Sequence, residues 1–165
     1  MKTYKVSNCF KSKIFGYRDS DIDSWLPVEL PIAQGKAVST IYKTKSGQTF
    51  KDMFAENGLN AEADIIPCCY SLQEVENMCE ENNSNLLDNG YVNFFPITDG
   101  SKVFVLFVNR RGGQWDVYVY RLDNDDEWDA DRQLFLRNVK LGDSDSLTLA
   151  IETVKKAGYQ VSKIM

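Results

Sequence analysis

Residues 91–121 read YVNFFPITDGSKVFVLFVNRRGGQWDVYVYR, and the alternation within this stretch decides the fold. Over 102–109, Val103, Val105 and Phe107 fall on one side of an extended chain and Phe104, Leu106 and Val108 on the other. Both sides are apolar, so the segment is expected as an interior strand covered on both faces. Trp115, Val117 and Val119 then alternate with Asp116, Tyr118 and Tyr120. One greasy face and one mixed aromatic-polar face predict a strand nearer an edge or a binding surface. The Gly112-Gly113 pair between the two runs signals a hairpin, because glycine accepts positive φ. Asp99-Gly100 marks an earlier turn that joins 91–97 to the central strand. Leu134, Phe135 and Leu136 within 132–137 form a plausible fourth strand. The expectation is an antiparallel β-meander over about residues 91–137.

Helical signals flank this platform. Thr49 precedes Phe50, Met53 and Phe54, spaced i, i+3, i+4, with Asp52 in the first turn and Gly58 as the stop. Ser71-Leu72-Gln73-Glu74 has the S-x-x-E form of a capping box, in which two free backbone donors are satisfied reciprocally. Leu72, Val75, Met78 and Cys79 make the apolar stripe of the helix it opens, and 82–85 (NNSN) ends it. A third helix is expected over 146–157, burying Leu147, Ala150, Ile151 and Val154, with a possible strand at 159–164. Short strands are expected at 3–6 and 37–42, and 19–35, with Pro27 and Pro31, reads as loop. Strands and helices in this order predict an α+β fold, one domain over 1–165, with a central meander packed by about three helices.

With 165 residues, 43% hydrophobic and 26% charged, the chain is long enough to bury its own core. No apolar run approaches the ~18–20 residues of a membrane helix, and no apolar segment follows Lys2 and Lys5 as a secretory signal requires. A cytoplasmic location, without membrane contact, is the expectation. Cys9, Cys68, Cys69 and Cys79 fit no disulfide or zinc spacing, which predicts reduced, mostly buried thiols. The chain has no histidine, which removes imidazole acid/base chemistry and every Ser-His or Cys-His nucleophile.

The charge layout is unusual. Residues 52–101 contain no lysine or arginine and ten acids, a net −10, while the remainder nets +5. A second acidic knot holds Asp123, Asp125, Asp126, Glu127, Asp129 and Asp131. The acids at 123, 125, 127, 129 and 131 have the register of a calcium loop. However, Trp128 stands where such a loop needs glycine, and Leu134 where it needs a bidentate glutamate. Arg110-Arg111-Gly112-Gly113 resembles a phosphate cradle only in composition, since a phosphate loop opens a helix and this one opens a strand. A field of this sign repels nucleic acid and speeds encounter with a basic protein partner. The candidate partner-binding residues are Glu74, Glu76, Glu80 and Glu81 on the second helix, with Asp125, Asp126, Glu127 and Trp128 beyond the hairpin. Trp128 reads either as a plug packing its loop onto the sheet or as an aromatic anchor for a partner. No catalytic residue, metal ligand or cofactor is expected.

Residues 70–137 also resemble part of the SUKH superfamily. YSLQEVENM is similar to the helix before that family's sheet, GYVNFFPITDGS to its strand, proline and Asp-Gly passage, and VFVLFVN with WDVYVYRLDNDDEW to its paired strands and following acidic-aromatic turn. SLTLAIETV stands where a closing helix is expected. The family's glycine-rich turn is reduced here to Asp99-Gly100-Ser101, and its amino-terminal helix pattern has no clear counterpart. The resemblance implies a non-enzymatic binding protein of the immunity kind, which blocks a toxin, and it transfers no individual site residue. The rival expectations are a carboxylate- or metal-dependent enzyme or small-ligand binder, favoured by a pocket converging on two or more of Asp116, Asp123, Asp125 and Asp129, and an acidic mimic of nucleic acid.

Overall fold

Strand β6 (Val103–Arg111) lies in the interior of a sheet, as its two apolar faces require. The computed structural model describes residues 2–140; the helix expected at 146–157 and the strand at 159–164 lie outside the described residues. The elements in chain order are β1 (Thr3–Lys5), β2 (Phe15–Arg18), α1 (Asp21–Trp25), β3 (Glu29–Pro31), β4 (Lys36–Lys43), α2 (Phe50–Glu56), α3 (Glu62–Ile65), α4 (Leu72–Glu80), β5 (Asn93–Thr98), β6, β7 (Gln114–Arg121) and β8 (Gln133–Lys140). β1 and β3 form a small antiparallel pair, and the other six strands form one sheet in the order β2-β7-β6-β5-β8-β4. The fold class is α+β.

The meander is β5-β6-β7. Its first turn is closed by Asp99, whose Oδ1 accepts the Ser101 and Lys102 amides, both at 2.8 Å. The second turn has positive φ at both Gly112 (59°) and Gly113 (80°), with Arg111 opposite Gln114. That twist matches the twist of the flanking strands.

The fourth strand departs from the expected path. β8 does not follow β7 on its outer side. It pairs in parallel with β5 at Asn93 and Phe94 and antiparallel with β4 along its length. The position beside β7 is taken by β2, also in parallel. The chain from β7 therefore crosses the sheet through 122–132, and the ring of Trp128 lies against Phe107 of β6 and Phe94 of β5, with centroids 5.8 and 5.2 Å away. Pro96 is tolerated inside the sheet because pairing with β8 has ended by that point. The Pro96 carbonyl on that side accepts the Tyr70 amide at 2.8 Å, so no strand there asks proline for an N–H.

Each face of the sheet has its own core. Phe95, Ile97, Phe104, Leu106, Val108, Trp115, Val117, Val119 and Phe135 point to one face, covered by the N-terminal segment, α1 and α4. Phe94, Val103, Val105, Leu134 and Leu136 point to the other, under α2, α3 and the crossover. The helices dock through the residues their spacing predicts. Phe50, Met53 and Phe54 of α2, and Leu72, Val75 and Cys79 of α4, are fully buried. Each such side chain contributes about 1.5–3 kcal/mol by leaving water. Both helices begin with a reciprocal cap: Thr49 with Asp52 (3.2 and 3.0 Å) and Ser71 with Glu74 (3.1 and 2.9 Å). Gly58 (φ 76°) follows the first, and Asn82 (φ 48°) the second.

The segment 19–35, expected as loop, contains α1 and β3, and β2 and α3 were not expected either. Their lengths of three to five residues are too short for a hydrophobic period to register. Long-range contacts hold them instead. Arg18 at the end of β2 donates to the Cys9 and Val6 carbonyls (2.8 and 3.0 Å) and forks onto Asp23 of α1 (2.8 and 3.0 Å).

Candidate partner-binding face

The eight acidic and aromatic residues singled out in the sequence do not share one surface. α4 covers one face of the sheet, whereas the crossover holding Asp125, Asp126, Glu127 and Trp128 lies on the other. Two of the helix acids also serve the fold. Glu74 caps α4 and binds the buried Arg137 of β8, its oxygens 2.8–2.9 Å from the guanidinium nitrogens. Glu76 is half-buried and accepts the Phe10 amide, which secures a buried phenylalanine held at φ 60°. Burial pushes the Glu76 carboxyl above its ordinary value, against the opposing pull of that amide. Glu80 and Glu81 face solvent, as do Asp125, Asp126 and Glu127. Among the described residues none of these five exposed acids forms an ion pair.

Trp128 acts as a plug. Its ring lies 5.2–5.8 Å from those of Phe50, Phe94, Phe107 and Tyr120, and it bridges to Gln48 through the backbone. Its Nε1–H is buried without an acceptor. Packing of this kind fixes the crossover and so fixes where Asp125, Asp126 and Glu127 emerge.

Beyond the plug, the same face is only partly covered. Tyr118 and Tyr120 of β7 stand on it, Tyr120 directly against Trp128 and Tyr118 reached through Phe107 of β6, and Tyr17 of β2 continues the row outward. Ring centroids are 4.8 Å apart for Tyr17–Tyr118 and 5.1 Å for Tyr118–Phe107. Tyr17 is 46% exposed. Carboxylates flank this row. Desolvation first, and then the Asp116 charge, raise the phenol of Tyr118; desolvation and Asp126 do the same for Tyr120. Asp19 adds to both while accepting the Val119 amide at 3.1 Å. The surface therefore joins large flat rings to carboxylates, with the Arg111 charge opposing them at Tyr118 and with Tyr120 adjoining the acidic crossover. Sequence reading caught the mixed face of β7. It missed Tyr17, because β2 gave no legible period and its pairing with β7 is long-range.

Other candidate chemistry is spread out. Among the described residues no three His, Cys, Asp or Glu side chains are placed to hold a metal ion. A hollow of about 250 Å³ is lined by Lys51, Glu62, Lys102, Arg121 and Asp123, reaching Asp123 but not Asp116, Asp125 or Asp129. Burial pushes the Cys9 and Cys79 thiols up to about 12, so both are held as unreactive thiols. No helix among the described residues is long and apolar enough to cross a membrane. No family model, no curated protein and no solved structure matches this chain.

Proposed function

We propose that this protein is a non-catalytic binding module whose tyrosine row and acidic crossover receive a basic protein partner. One observation carries the reading: Tyr17, Tyr118 and Tyr120 form an exposed-to-half-buried row, joined through Phe107, beside Asp116 and Asp126, acids without ion pairs among the described residues. Aromatic rings supply contact area at low entropic cost, and tyrosine is enriched where binding energy concentrates. Uncompensated carboxylates steer a cationic surface and set register more than they add affinity. The resemblance of residues 70–137 to the SUKH superfamily supports a toxin as that partner, neutralised by being covered.

The test is capture from a host extract on the immobilised chain, comparing wild type with the triple variant Asp125→Lys, Asp126→Lys, Glu127→Lys. The expected partner is basic, is retained by wild type, elutes as salt rises, and is lost by the variant. A partner held equally by both proteins and indifferent to salt would overturn the proposal. A small-anion ligand is the second reading, favoured by Lys51, Lys102 and Arg121 converging on one hollow. It predicts a thermal shift on adding phosphate, abolished in Arg121→Ala.

A further inference from the structure

A hollow of about 340 Å³ lies where the end of β3, the stretch from Ile66 to Ser71 and the β5–β6 turn meet. Its rim is exposed and its floor is covered. Ile32, Gln34, Pro67 and Gly100 are exposed, whereas Tyr4, Leu30, Tyr70 and Arg137 are each only 3–7% exposed. A concave space of this size, at the low end of the roughly 300–1,000 Å³ of small-molecule sites, suits a compact ligand. Tyr4, Leu30 and Tyr70 belong to the core on the α4 side of the sheet, so the hollow is separate from the tyrosine row and the crossover.

The polar groups of the floor are used within the fold, with one exception. The Tyr4 hydroxyl accepts the Leu72 amide at 3.0 Å, and the Tyr70 hydroxyl shares a hydrogen bond of 2.6 Å with Ser39. Burial pushes both phenols up to about 12, so the floor carries neutral hydroxyls rather than phenolates. Arg137 is the exception. A guanidinium has five N–H donors in one plane. Nε and Nη2 hold Glu74, and Nη2 also reaches the Gln34 carbonyl at 3.0 Å. Those contacts fix the plane and leave both N–H bonds of Nη1 without an acceptor among the described residues. Unlike Asn109 Oδ1, which is sealed in the core, Nη1 keeps access to the hollow that Arg137 lines.

Leu30, Ile32, Ile66 and Pro67 line the same space with hydrocarbon. Charge then decides the class of ligand. Glu74 already neutralises Arg137, and Asp99 is the other charged residue of the lining, so these three groups net one negative charge. An anion would lose its hydration without gaining net attraction, and a cation would meet the guanidinium. A neutral oxygen acceptor on an apolar body satisfies Nη1 and buries its carbon against the walls.

We infer that this hollow binds a compact, uncharged carbonyl compound, its oxygen on Arg137 Nη1 and its apolar body against Leu30, Ile32 and Ile66. The inference goes beyond the binding-module reading and does not depend on it.

Three probes of similar size test it: acetophenone, with a ring and a carbonyl; toluene, with the ring alone; and benzoate, with the ring and a full negative charge. Each is titrated into the isotopically labelled full chain and followed by amide and guanidinium chemical shifts. Acetophenone should give saturable shifts at Tyr4, Tyr70 and Arg137 and move the Arg137 guanidinium signal. It should bind about three- to tenfold tighter than either other probe, the worth of one hydrogen bond. The double variant Glu74→Leu, Arg137→Met removes both charges together; in it toluene should bind as in wild type and the preference for acetophenone should vanish. Equal binding of acetophenone and toluene to wild type, tighter binding of benzoate, or a preference that survives in the double variant would overturn the inference. If that variant does not fold, the wild-type guanidinium decides. Moved by acetophenone and not by toluene, it sustains the site; unmoved by acetophenone, it removes it.

Discussion

Replacing Glu74 by alanine should damage stability rather than recognition, and the structure sets the size of the effect. Arg137 is 7% exposed and Glu74 is 18% exposed at the side chain. Glu74 removed, the guanidinium keeps one acceptor, the Gln34 carbonyl at 3.0 Å, and no counter-charge. Breaking a buried pair by deleting one partner costs about 3–5 kcal/mol. The pair is not wholly dry, which argues for the lower end. Loss of the bond to the Ser71 amide adds about 0.5–1.5 kcal/mol. A total near 4 kcal/mol, with a urea slope of about 2 kcal/mol per molar, moves the unfolding midpoint down by about 2 M. Glu74→Gln keeps an acceptor for both the cap and Arg137 and should lose roughly half as much. The double change Glu74→Leu, Arg137→Met removes both charges together and should recover to within about 1 kcal/mol of wild type. Urea titration followed by far-UV circular dichroism and tryptophan fluorescence measures all three. A Glu74→Ala midpoint within about 0.3 M of wild type would refute the reasoning and return Glu74 to the surface acids.

Four further outcomes are expected. Trp128→Ala should cost about 2–3 kcal/mol, below the ~3–5 of a fully buried tryptophan, because the residue is not completely covered where it anchors the crossover over Phe94 and Phe107; an unchanged thermal midpoint would show that the crossover is held by other contacts. The triple lysine variant at 125, 126 and 127 should stay within about 0.5 kcal/mol of wild type, as solvated positions do, so a large drop in its urea midpoint would reveal that those acids support the fold. Glu76→Ala should destabilise by about 1–2 kcal/mol by leaving the Phe10 amide without its acceptor, and faster amide exchange at Phe10 is its signature. The Arg18 fork holds the Asp23 carboxyl below its ordinary 3.8, so its contribution is present above that value and lost as pH falls through the lower folded one. Asp23 is nearly half exposed, so the effect should be under about 1 kcal/mol; Asp23→Asn should remove this part of the acid-limb slope, and an unchanged slope would contradict it.

Local chemistry was legible from sequence wherever it depended on neighbours in the chain. Alternation over 103–108 made β6 an interior strand because six consecutive apolar side chains demand cover on both faces. Ser71 with Glu74, and Thr49 with Asp52, announced two helix starts because their partners are three residues away. Asp99-Gly100 and Gly112-Gly113 placed the turns because positive φ selects glycine. The tertiary structure alone decided which strand lies beside which. β8 crosses to β5 because β2, from the far end of the chain, occupies the edge of β7, and Trp128 makes the crossing favourable by filling the groove it spans. The same long-range pairing brings Tyr17 against Tyr118, and separates the α4 acids from those of the crossover. A run of like charge says how much field a chain carries; the packing of the apolar side chains decides where that field points.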